Sequence, residues 1–167
     1  MNRLEHLIFL VTILIIFLGM ICKSAICTWF YLNVVVSIYE LYIIYNRQKL
    51  KKSDCEDSFW EGESEPKNLA RDYWNDYACK TDERYFENNN YVFIFEGLNV
   101  VATILLGLAI IKNKFIGEVL TFQFLNAAFY FVTLKEKSGK LNYIYKSISA
   151  IWLAFPTLLM YKLSRNP

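Results

Sequence analysis

The chain alternates long apolar runs with one charged block, and this alternation constrains the fold more than any single motif. The runs cover about 7–22, 26–45, 91–111, 115–134 and 141–161. Each approaches the ~20 residues that a helix needs to cross the hydrocarbon of a bilayer. With 167 residues, 55% of them hydrophobic and 17% aromatic, and a mean hydropathy of +0.23, the chain is too apolar for an ordinary soluble domain and too short for two large ones. The expected architecture is an all-α polytopic membrane bundle of five transmembrane helices, a single domain over 1–167, with a polar connecting segment at 47–90 between the second and third spans.

Charge is segregated accordingly. Eleven of the sixteen acids and eight of the eighteen Lys and Arg residues fall between Arg47 and Asn90. No long run of bases builds up along the sequence, so no nucleic-acid partner is expected. The four cysteines (Cys22, Cys27, Cys55, Cys79) lack CxxC spacing and the only histidine is His6, so no metal site is expected. Cys55 and Cys79 share the polar segment and could pair in an oxidising lumen, but free thiols are the favoured reading. The first run has a cleaved signal peptide as its rival reading, disfavoured because no small-x-small site precedes Cys27. Within the polar segment, the amphipathic aromatics Trp74, Tyr77 and Tyr85 suggest a short interfacial helix over Leu69 to Tyr85. The Lys and Arg count mildly favours a cytoplasmic N-terminus.

Polar residues inside the runs follow helical faces. The second run carries Asn33 and Glu40; Glu40 lies close enough to the Tyr45 end that reaching the interface is an alternative to facing the interior. In the third run Glu96, Asn99 and Thr103 share one face, in the fourth Gln123, Asn126 and Tyr130, and in the fifth Tyr145, Ser149, Trp152 and Pro156. Such stripes also arise where interhelical hydrogen bonds merely hold a bundle together. Two buried carboxyl groups, however, allow a proton to be added at one atom of an apolar substrate and removed at another, because burial disfavours the charged form. An indole face can stabilise a cation in a dry site. That chemistry requires neither metal nor nucleotide, and no phosphate loop or glycine fingerprint is present.

The stretch WNDYACKTDERY, with Glu96 eleven residues beyond Tyr85, resembles the emopamil-binding-protein family of EXPERA-domain membrane proteins, which includes the sterol Δ8-Δ7 isomerase. In that family a W-x-E-Y-(A/G)-K-x-D-x-R-Y segment leads into a span carrying a functional Glu. Here Trp74, Asp76, Tyr77, Asp82, Arg84 and Tyr85 occupy the pattern with one extra residue. Gln123 with Tyr130, Phe131 and Thr133 resembles the family's fourth span, and IWLAFP from Ile151 to Pro156 its fifth. The resemblance implies a cofactor-independent isomerase of the endoplasmic reticulum membrane, with Glu96 and Glu40 as acid and base and a carbocation near Trp152. Gln123, Asn126, Tyr130, Asn99, Ser149 and Tyr42 would contact the substrate. It also implies a sterol or other lipophilic small molecule as partner, membrane lipid around the bundle, and a homodimer as one assembly. Three positions depart from the family: Val36 stands where the isomerase has its second-span His, Ser149 where it has an Asn, and the Gly-Pro after the third-span Glu is missing, with Gly107 its nearest echo. The alternative is a non-catalytic protein of the same family that binds sterols or lipophilic amines.

Overall fold

The computed structural model describes residues 3–49, 69–86, 90–133 and 140–165. They form six α-helices: α1 (Arg3–Ile21), α2 (Ala25–Asn46), α3 (Leu69–Lys80), α4 (Tyr91–Lys112), α5 (Ile116–Thr133) and α6 (Lys140–Arg165), with short 3-10 turns at Arg47–Lys49 and Glu83–Tyr85. The all-helical expectation therefore stands. Three helices, α2, α4 and α5, are long and apolar enough to cross a membrane.

Local chemistry sets the helix ends. At the α1–α2 turn, Ser24 adopts extended backbone before α2, and a Cys22–Cys27 disulfide closes the connection. Neither cysteine was expected to pair. Cys79, on α3, is also disulfide-bonded, which corrects the free-thiol reading; Cys55, the partner considered for it, lies outside the described residues. α4 stops at Asn113, which takes the left-handed conformation (φ 49°) while its N–H bonds back to Ile110 and that of Lys114 to Ala109. Asn tolerates this conformation better than most residues and so ends the helix cleanly.

α2 and α4 run antiparallel. Pairings from Phe30 against Gly107, through Ser37 with Thr103 and Glu40 with Asn99, to Arg47 with Asn90 fix their register. A Cβ at Gly107 would come within 2.8 Å of the Phe30 ring, so glycine permits this close crossing. α5 returns along α4, where Asn126 meets Phe95, and α6 returns along α5, where Thr121 meets Met160. α6 continues through the buried Pro156.

Two apolar clusters occupy the two ends of this arrangement. One gathers Trp29, Leu106, Ala109, Val119, Leu120 and Leu159. The other gathers Ile43, Tyr77, Ala78, Tyr85, Val92 and Phe93. The short helix expected within Leu69 to Tyr85 is present as α3, but the Tyr77 and Tyr85 rings are buried in this second cluster rather than exposed on its surface. α3 and the turn after it fold inward, burying the Tyr77 and Tyr85 rings against α2 and α4, because edge-to-face packing among Trp74, Tyr77, Tyr85 and Phe93 provides apolar partners for the rings.

Candidate functional site

Between the two apolar clusters lies a polar layer built by α2 and α4. On α2, Trp29, Asn33, Ser37 and Glu40 share one face because they recur at intervals of four, four and three residues. On α4, Glu96, Asn99 and Thr103 do the same. Glu40 is 4% exposed and Glu96 9%, so Glu40 faces the interior rather than the membrane surface. Asn99 donates its amide hydrogens to both oxygens of Glu40, at 2.8 and 3.0 Å. The Glu40 and Glu96 side chains are close neighbours across the α2–α4 contact, and the Tyr85 hydroxyl donates to Glu96 from the turn above. Two carboxyl groups this close hydrogen-bond to each other only when one of them carries the proton.

Two further networks flank the pair. Below it, the Trp29 indole N–H donates to Gln123 at 3.0 Å, Gln123 donates to Asn33 at 3.4 Å, and Asn33 donates to the Trp29 carbonyl at 2.9 Å. Ser37 donates to Thr103 at 3.0 Å, and Thr103 to the carbonyl of Asn99, the residue that holds Glu40, at 2.9 Å. Above the pair, Asp82 is held by Arg84 through two bonds of 2.7 Å and accepts the Tyr130 hydroxyl at 2.9 Å, while the Tyr130 and Tyr77 hydroxyls lie 2.6 Å apart. Arg84 also donates to the carbonyl and hydroxyl of Thr133, and its guanidinium lies over the Tyr130 ring. Asp82, Arg84 and Thr133 thus anchor the turn that carries Tyr85 to the end of α5.

Burial opposes the Arg84 charge, but the hydrogen bonds and negative charge of Asp82 outweigh it and shift its pKa upward. Burial, followed by the Glu96 charge, pushes the Tyr85 phenol well above its ordinary range. Burial and then Asp76 push Tyr73 the same way.

The structure brings some of the expected site residues together and separates others. Glu40, Glu96 and Asn99 meet directly. Tyr130 belongs to the network above them, and Gln123 to the one below. Asn126 donates to the Phe95 carbonyl, next to Glu96 in sequence; its own buried amide oxygen has no hydrogen-bond partner among the described residues. Tyr42 packs beside the cluster containing Ile43 and Tyr85. Trp152 is not at the carboxyl pair. It packs against Trp29, ring centroids 5.8 Å apart. Trp29 precedes Glu40 by eleven residues, which corresponds to about 16 Å along a helix. The Ser149 side chain lies outside the described residues.

Trp29 and Ser37 are partners that sequence reasoning missed. Their spacing from Asn33 and Glu40 was the available signal, because the four positions form a single stripe. Among the described residues no group of His, Cys, Asp and Glu is arranged to hold a metal ion. Comparison with family models, with curated proteins and with solved structures gives no match to this chain.

Proposed function

We propose that the chain is a polytopic membrane protein in which α1, α2, α4, α5 and α6 all span the bilayer, and that it acts as a sterol Δ8-Δ7 isomerase-like enzyme of the endoplasmic reticulum. The observation that carries this reading is the Glu40–Glu96 pair, buried between two antiparallel helices and hydrogen-bonded by Asn99 and Tyr85. In this reading the protonated carboxyl adds its proton to a ring double bond, leaving a carbocation. The other carboxylate then removes a proton from the adjacent ring carbon, so the double bond moves and the pair ends with the proton it began with. Asn99 fixes the orientation of Glu40 and Tyr85 that of Glu96, which holds both groups in place without a metal or nucleotide. The unpartnered Asn126 oxygen supplies an acceptor for a ligand hydroxyl, since a buried acceptor left without a donor is destabilising. Trp152, packed on Trp29, would face a distal part of an elongated ligand rather than the cation.

The resemblance of Trp74–Tyr85, of α5 from Gln123 and of Ile151–Pro156 to EXPERA-domain proteins supports the same reading. The test is rescue of an isomerase-deficient yeast. Wild type is expected to restore Δ7 sterol formation and Glu96→Gln to abolish it; equal behaviour of the two rejects catalysis.

Val36, one turn before Glu40, favours a second reading. An apolar residue there leaves Glu40 without an imidazole to exchange protons with, which suits a site that binds a sterol or lipophilic amine without converting it. Saturable binding of a labelled sterol to the detergent-purified chain, with no product formed, would select this reading.

A further inference from the structure

Among the described residues, the end of the bundle opposite the carboxyl pair is predominantly basic, with five bases against the single acid Glu118. The α1–α2 turn places Lys23 there, the α4–α5 turn Lys112 and Lys114, and the last turns of α6 Lys162 and Arg165; all five are exposed. They share an end because α2 and α4 are antiparallel and because Ile26, Ile110, Ile116 and Leu163 pack around one apolar cluster just inside it. None of the five forms an ion pair among the described residues, and Glu118 is the one described acid close to them in the chain. The segment 47–90, by contrast, mixes its eight bases with eleven acids.

The aromatic side chains at this end point to a boundary between water and lipid. Phe115, 68% exposed, adopts a left-handed backbone with φ 62°, a conformation unfavourable for a bulky residue. It follows Lys114 directly. Tyr161 is 55% exposed and stacks under the Arg165 guanidinium at 4.7 Å. Exposed aromatic rings beside unpaired cations suit the headgroup level of a bilayer, where the ring lies in the acyl boundary and the charge meets phosphate.

We propose that Lys23, Lys112, Lys114, Lys162 and Arg165 form a collar that binds the headgroups of anionic phospholipids, with Phe115 and Tyr161 setting its depth in the leaflet. The inference rests on the membrane-spanning part of the reading above and is independent of the isomerase. Each cation near an anionic surface contributes on the order of a fivefold gain in affinity, reduced by salt.

The experiment uses the full chain purified in a neutral detergent, with thermal unfolding followed as phosphatidylglycerol or phosphatidylcholine is added. Wild type is expected to be protected by phosphatidylglycerol at a concentration at least roughly tenfold lower than phosphatidylcholine, and the preference is expected to shrink at high salt. The variant Lys112→Gln/Lys114→Gln/Lys162→Gln/Arg165→Gln should lose the preference, while Lys112→Arg/Lys114→Arg/Lys162→Arg should keep it and shows that the end tolerates substitution. Equal protection by both lipids, a preference that survives the Gln variant, or equal protection by inorganic phosphate overturns the proposal. Recovery of the wild-type chain in the soluble fraction without detergent would instead overturn the membrane reading beneath it.

Discussion

Replacing Arg84 by Ala tests the physical basis of the site most directly. The Arg84–Asp82 pair is 2.7 Å apart, with the two side chains 10% and 2% exposed, so solvent screens it little. Ala removes both bonds to Asp82, the two to Thr133 and the stacking on Tyr130, and leaves the Asp82 charge buried with only neutral donors. Removing one partner of a buried pair costs about 3–5 kcal/mol. For a chain of this size that corresponds to a melting temperature lower by roughly 6–20 °C, measured by thermal unfolding in detergent. The double variant Asp82→Asn/Arg84→Met removes both charges and keeps an acceptor for the Tyr130 hydroxyl, so it should recover more than half of the loss. A single-variant loss below about 1 kcal/mol, or a double variant no more stable than the single, would refute the claim that a buried, uncompensated charge sets the cost.

Three further outcomes follow from the same geometry. The unfolded chain ionises its tyrosines near pH 10, whereas folded Tyr85 keeps its proton to higher pH. The unfolded state therefore binds fewer protons over that window, and the stability Tyr85 contributes, full below pH ~10, is lost as pH rises toward the folded value; alkaline absorbance titration of wild type against Tyr85→Phe should show one late-titrating phenol missing from the variant. Asn99→Leu leaves both Glu40 oxygens without their amide donor and should destabilise the chain by about 1–3 kcal/mol, read by the same thermal assay, with Asn99→Gln losing less. Alkylation of the folded, unreduced chain followed by mass spectrometry should leave Cys22, Cys27 and Cys79 unmodified until a reductant is added.

The helices were legible because apolar runs of bilayer length leave few other ways to satisfy a backbone. Their ends agree with the apolar runs within a few residues, and α6 overshoots its run at Arg165 because the polar end Tyr161–Arg165 still has helical neighbours to pack on. Which faces meet was less legible. The α4 stripe of Glu96, Asn99 and Thr103 was readable by spacing alone, but its partner stripe on α2 was only half seen, because Trp29 and Ser37 look like ordinary span residues until Gln123 and Thr103 arrive from elsewhere in the chain. Tyr77 and Tyr85 were read as surface aromatics since amphipathic rings suit an interface; only the tertiary packing of α3 shows them turned inward. The Cys22–Cys27 disulfide is not legible from spacing, because the two cysteines come together only once the turn between α1 and α2 has formed.

The hydrogen bonds between α2 and α4 also act as a vernier. Glu40 with Asn99 and Ser37 with Thr103 match at one offset of the two helices, and Phe30 clears α4 only at Gly107. Sliding one helix by a turn would break these matches together and drive the Phe30 ring into a neighbouring side chain. The α2–α4 pair is thus a fixed rail, and any motion that admits a ligand to the carboxyl pair has to come from the elements packed against that rail: α5, α6 and the Tyr85 turn.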